Sequence, residues 1–272
     1  MTWVSNIFRL AVSNAPTRCP SFPPASQAMK QVVCMKWGTL YPAEYVNKLY
    51  GMVRRNVQGP LRFVCMTDDP SGVRAEVECL PCPEVALPKP YNNTGWRKIV
   101  LWAKTLPGME GDWLFLDLDV IVTGQLDDFF EFAPETSFVV MQNWTRPGKG
   151  IGNTSVFRFR VGAHPYIHER LEPEFTSLHA RYRIEQTYIS KTVTEMKFWP
   201  DEWCVLFKTH CVPPMPQRWW KTPAIPEGAR VIAFPGNPNP HDAVRGIWPA
   251  KWYKGFYKHI LPVHWINDLW QA

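Results

Sequence analysis

No stretch of the chain approaches the run of apolar residues that a membrane-spanning helix needs. No internal repeat or low-complexity tract is present either, which excludes solenoid and linker-like architectures. The seven cysteines are an odd count without regular spacing, so they do not form the framework of a disulfide-stapled domain. Cys79-Leu80-Pro81-Cys82 has the C-x-x-C spacing, but no second pair repeats it. Cys204 with His210-Cys211 leaves a zinc site open as an alternative. Reduced, mostly buried thiols are the expectation, and with them a cytoplasmic location. The net charge of +6 comes without a clustered basic stripe. It suits an anionic substrate or surface, and nucleic acid is not expected as a partner.

What is present is the material of a folded core. Hydrophobic residues make up 46% of the 272-residue chain, enough for one large domain with a substantial interior. Residues 1–29 carry a short apolar patch (Trp3, Val4, Ile7, Phe8, Leu10) followed by Pro16, Pro20, Pro23 and Pro24, without the basic leader of a signal peptide. They read as a poorly ordered extension, with Met29 a candidate start. Residues 30–246 read as the folded domain, and 247–272 as an aromatic, basic C-terminal segment.

The domain opens as strand–helix–strand. Gln31 to Lys36 is a short apolar strand and Trp37-Gly38-Thr39 a turn. Pro42 suits a first helical turn, and Val46, Leu49, Tyr50 and Val53 follow helical spacing. Gly59-Pro60 breaks the chain before a second strand, 61–66, and a third strand is expected within 73–80. Parallel sheets gather their ligands at strand C-terminal ends, so Thr39 and Asp68 are expected on one binding edge. Plain turn chemistry before Pro70 is the alternative for Asp68 and Asp69. Thr94 is placed to cap a helix carrying Trp96, Ile99, Val100, Ala103 and Leu106. Beyond it, helices are expected at 125–132, 164–178 and 185–193, and strands at 137–142, 154–159 and 231–234.

At the centre lies Trp113-Leu114-Phe115-Leu116-Asp117-Leu118-Asp119-Val120-Ile121-Val122. It reads as one buried strand in which period-two alternation puts Asp117 and Asp119 on the same side. Bare carboxylates are costly to bury, and their oxygens suit Mg²⁺ or Mn²⁺, so a divalent cation is the natural compensation. Alternatively the strand ends near Leu116 and both aspartates stand at its tip.

The order of these features resembles the GT-A glycosyltransferases, in particular nucleotide-sugar transferases related to glycogenin and the lipopolysaccharide galactosyltransferases, over residues 31–242. In those families a basic helix residue precedes the metal-binding Asp-x-Asp strand; here Lys98 and Asp117-Leu118-Asp119 stand in those places. Asn153-Thr154-Ser155-Val156-Phe157 is similar to the families' Asn-Ser-Gly-Val-Phe segment, with Ser155 replacing the glycine. Glu185-Gln186 looks like their Asp-Gln pair. Phe234-Pro235-Gly236-Asn237-Pro238-Asn239-Pro240 is similar to a His-x-x-Gly-x-x-Lys-Pro loop, but the histidine is missing and Asn239 replaces the lysine.

The resemblance implies a Rossmann-like α/β fold of the GT-A type, a mixed, mostly parallel sheet flanked by helices, with an irregular aromatic C-terminal part. It implies metal-dependent hexosyl transfer from a nucleotide-diphosphate sugar, UDP-sugar favoured, to a glycan, lipid or protein acceptor, with retention of configuration in the closest families. Asp117 and Asp119 would hold Mn²⁺ or Mg²⁺; His241 could replace the missing histidine by a shifted geometry, with a capping or surface histidine as the alternative. Lys98 would face the diphosphate, with Thr39 and Asp68 near the nucleoside. Asn153, Glu185 and Gln186 would face the sugar or acceptor, Glu185 being the carboxylate available as base or nucleophile.

Two other classes compete. Asp-x-Asp after an apolar strand is also the nucleophile motif of haloacid-dehalogenase-like phosphatases, although that strand normally opens their fold. The missing loop histidine and lysine suit a catalytically silent nucleotide-sugar-binding protein. In the C-terminal segment Tyr253, Phe256, Tyr257, Ile260 and Leu261 fit one helical face among Lys251, Lys254 and Lys258. Such a segment can lie on an anionic membrane surface or simply pack over the core.

Overall fold

The computed structural model describes residues 28–89 and 91–272. The extension expected at 1–29 falls outside them, apart from its last two residues. The strands are β1 (Lys30–Lys36), β2 (Leu61–Thr67), β3 (Glu78–Pro81), β4 (Asp112–Leu116), β5 (Val120–Val122), β6 (Phe138–Gln142), β7 (Gly152–Arg160), β8 (Lys197–Phe198), β9 (Cys204–Leu206) and β10 (Val231–Ala233). Seven of them form a mixed sheet in the order β3-β2-β1-β4-β7-β6-β8, and β5-β10-β9 form a second, small sheet. β3, β2, β1 and β4 are mutually parallel, while β7 runs antiparallel to both β4 and β6.

Alternation along β1 explains how one strand serves two cores. Val32 and Cys34 join a cluster with Val46, Leu49 and Val53 of helix α1 (Ala43–Arg55). Val33 and Met35 point the other way, into a cluster with Ile99, Trp102, Trp113, Phe115 and Phe157. Both sheet faces are therefore covered, as parallel strands require. No helix among the described residues is long and apolar enough to cross a membrane.

Three expectations need correction. The run through Asp117 and Asp119 is not one strand. β4 stops at Leu116 and a turn carries both aspartates. The reason is a change of partners: β4 pairs with β1 and β7 in the large sheet, whereas β5 pairs with β10 in the small one. The segment after Thr94 is a tight 3-10 helix, Gly95–Trp102, rather than an α-helix. Thr94 does not cap it, because its hydroxyl donates back to the Tyr91 carbonyl at 2.6 Å. The C-terminal segment does not form the amphipathic helix. It holds a short 3-10 turn, Trp252–Lys254, and a short α-helix, His264–Leu269. Gly255 and Pro262 interrupt the helical run.

Candidate functional site

β1, β2 and β4 end at one edge of the sheet, and a cavity of about 530 Å³ opens there. Its wall includes Lys36, Thr39, Tyr41, Lys98, Asp117 and Asp119. Gly38, with φ of +60°, turns the chain after β1, and its N–H donates to Asp68 Oδ2 at 2.9 Å. Thr39 and Asp68 thus lie near one another beyond the ends of β1 and β2, with Thr39 on the cavity wall.

Asp117 follows β4 directly, and its N–H donates to the Ser155 carbonyl at 2.9 Å. Lys98 Nζ lies 2.6 Å from Asp117 Oδ1 and donates to Asp117 Oδ2 at 2.7 Å and to the Thr154 carbonyl at 3.1 Å. The ammonium has three protons, so these contacts commit it to the protein. Burial pulls the Lys98 pKa down, but Asp117 and then Glu185 outweigh it and hold the group above the ordinary lysine value. Lys98 is therefore a positioning residue for Asp117 in this structure.

Asp119 Oδ2 accepts from the Tyr41 hydroxyl at 3.0 Å. Burial, reinforced by Asp117, pushes the Asp119 carboxyl up to about 7 against the opposing pull of Lys98 and Tyr41. Burial and Asp119 in turn raise the Tyr41 phenol, keeping it a proton donor. The raised Asp119 carboxyl, with Asp117 beside it, marks a locus short of positive charge. Its hard oxygens fit Mg²⁺ or Mn²⁺, which commonly bind one or two carboxylates and complete their shell with water and substrate phosphates. The pair is not joined by a third such ligand: no group of three His, Cys, Asp or Glu suited to a metal occurs among the described residues. His241, the expected third ligand, lies on the helix Pro240–Val244; its Nδ1 meets the Tyr45 hydroxyl and its Nε2 lies 3.3 Å from Asp242 Oδ1.

Glu185 is buried at the start of the helix Glu185–Thr192. It accepts from the Thr154 hydroxyl at 3.1 Å. Gly95 is needed opposite it, since a Cβ there would stand 2.6 Å from the carboxylate. Gln186 Oε1 accepts from Asn143 Nδ2 at 2.9 Å, and Asn153 Oδ1 accepts from the Ser155 N–H at 2.9 Å. The structure thus links Glu185 to Lys98 through Thr154, whereas Gln186 and Asn153 bond to other partners.

Sequence reasoning missed Tyr41, Gly95 and Lys36. Lys36 is buried at the end of β1, with Nζ donating to the Asp69 carbonyl at 3.1 Å. A lysine closing an apolar strand was the available signal. Tyr41 and Gly95 act through contacts with distant residues and leave none.

No family profile matches the chain, and no curated protein matches it. Solved structures do. The galactosyltransferase LgtC in complex with donor and acceptor sugar analogs matches with a TM-score of 0.53 at 10% identity, over 77% of this chain and 88% of LgtC. The glycosyltransferase GlyE of Streptococcus pneumoniae TIGR4 gives 0.53 at 14% identity, over 78% of this chain and 56% of GlyE. The bifunctional glycosyltransferase WbbM gives 0.55 at 12% identity, over 91% of this chain and 52% of WbbM. The chain has a GT-A-like fold.

Proposed function

We propose that the protein is a metal-dependent glycosyltransferase that moves a hexose from a nucleotide-diphosphate sugar, in the first instance a UDP-sugar, to a glycan, lipid or protein acceptor. The observation that carries the reading is the pair Asp117–Asp119 at the C-terminal end of β4, with Asp117 ion-paired to Lys98 and both lining a cleft. The cleft lies at the strand edge where open α/β sheets bind ligands. The fold neighbours, an LgtC complex with donor and acceptor sugar analogs among them, support it.

Transfer breaks the bond between the anomeric carbon and a phosphate oxygen, and the electron pair leaves on the diphosphate. The acceptor oxygen bonds to that carbon and gives up its proton. Asp117 and Asp119 would hold Mn²⁺ or Mg²⁺, which supplies Lewis-acid stabilisation of the leaving charge. Lys98 fixes the Asp117 carboxylate, and Tyr41 orients Asp119. Thr39 and Asp68 lie on the β1–β2 side, suited to the nucleoside. Glu185 is enclosed by Gly95 and Thr154, which suits a charge that supports Lys98 better than a nucleophile. Exposed Trp252 and Phe256 among lysines favour peripheral contact with an anionic membrane surface on the cytoplasmic side.

The test is binding and turnover of a panel of UDP- and GDP-sugars with Mn²⁺. Cation-dependent binding, lost in Asp119→Ala, with slow release of nucleoside diphosphate is the expected result. Binding without release or transfer would leave a silent nucleotide-sugar-binding protein, and phosphomonoester hydrolysis without sugar-nucleotide binding would point to a phosphatase.

A further inference from the structure

Lys98 is buried and held by the Asp117 carboxylate and the Thr154 carbonyl, so a diphosphate in the cleft gains from another cation. The small sheet brings one close to the aspartate turn. Ala233 of β10 lies level with both Val120 of β5 and Leu206 of β9. One residue further along, Phe234 N–H donates to the Asp119 carbonyl at 3.1 Å, and Phe234 stacks on Phe207 with ring centroids 4.4 Å apart. Lys208 is the next residue, on a wide helical turn, Phe207–Cys211. At about 4.8 Å per strand, Asp119 and the start of that turn are about 10 Å apart, within a lysine side chain and a phosphate group of each other.

Lys208 is a half-buried cation without a counter-charge. Its Nζ donates to the Pro235 carbonyl and lies against Gly236, where a Cβ would stand 3.8 Å away. It belongs to none of the ion pairs among the described residues. Burial and the like charge of Lys258 depress its pKa, while Asp119 pulls the other way. An ammonium in that setting gains from any anion placed between it and the aspartate turn.

We infer that Lys208 is a diphosphate-binding residue, supplying from the turn after β9 the positive charge that Lys98 has already committed to Asp117. The inference rests on the nucleotide-sugar reading of the cleft. It assigns Lys208 to the terminal phosphate, the group that distinguishes a nucleoside diphosphate from a monophosphate.

Calorimetric titration with Mn²⁺ present tests it, using UDP, GDP, ADP and CDP and then the monophosphate of whichever base binds. Lys208→Gln removes the charge and keeps a donor for the Pro235 carbonyl; Lys208→Arg keeps the charge, and Lys251→Gln controls for a surface lysine. Lys208→Gln should weaken the diphosphate about tenfold, the scale of one charge-assisted contact, and leave the monophosphate within about twofold. Lys208→Arg should recover most of the loss, and Lys251→Gln should change nothing. Equal loss for diphosphate and monophosphate, or wild-type diphosphate affinity in Lys208→Gln, overturns the inference alone. A wild-type protein that binds no nucleotide overturns the donor reading and this inference with it.

Discussion

Asp119 bears the electrostatic strain of the cleft. Unfolded, its carboxyl titrates near the ordinary aspartate value of about 3.9; folded, burial and Asp117 raise it to about 7. Between these values the native protein keeps a proton that the unfolded chain has released. Stability therefore falls as pH rises through that window and levels off above it. Asp119→Asn removes the penalty. In chelator, so that no cation offsets the charge, the variant should be more stable than wild type near pH 8, by on the order of 2 kcal/mol after allowance for partial exposure. The advantage should shrink steadily towards about pH 4, where the wild-type group is protonated too. Thermal melts across that range measure it, and an advantage that ignores pH would dismiss the raised pKa.

At the scale of elements, the clearest case is a residue that periodicity cannot interpret. Arg158 interrupts the apolar face of β7 and is buried. Its guanidinium donates to the carbonyls of Phe129 at 3.0 Å, Phe130 at 3.2 Å, Phe132 at 2.7 Å and Ala133 at 2.6 Å. The short helix Asp127–Glu131 ends among these residues, so one cation meets its free carbonyls and the negative end of its dipole. Arg158→Met keeps the aliphatic stem and strands the carbonyls. The expected cost is about 3 kcal/mol, read as a lowered urea midpoint at unchanged slope. A loss below about 1 kcal/mol would mean that water replaces the guanidinium. Local patterning did reveal β1, α1, β2, the helix Glu185–Thr192 and β10 to within a residue or so. The nearness of Lys98 to the Asp-x-Asp pair was legible because the resemblance to the glycosyltransferases rests on their spacing along the chain. The break after Leu116 was not, because an exchange of sheet partners leaves no periodic trace. Tyr41 on Asp119 and Lys208 beside Pro235 were hidden for the same reason: each contact joins segments far apart in sequence.

Across the whole molecule, the segment after Gly246 has a packed part and an exposed part that a deletion would confuse. Ile260, Val263, Ile266 and Trp270 are buried in the same core as α1 and the small sheet. Trp270 packs edge-on against Tyr45 with centroids 4.9 Å apart, and Arg55 donates to the carbonyls of Leu269 and Gln271 at 2.8 Å and 3.0 Å. Burying each such apolar side chain is worth about 1.5–3 kcal/mol, against a total stability of about 5–15 kcal/mol for a domain. Removing residues 247–272 should therefore unfold the protein rather than free a catalytic core, seen as loss of the cooperative melt. Trp252 and Phe256 are different: they stay 91% and 72% exposed beside Lys251 and Lys254, so nothing in the core holds them. Exchanging both for serine should leave the melt unchanged. If the basic aromatic surface docks on anionic lipid, wild type floats with phosphatidylserine vesicles at low salt and the double variant does not. A wild-type protein that stays unbound would reduce these aromatics to solvent-facing ornaments of a segment whose work is packing.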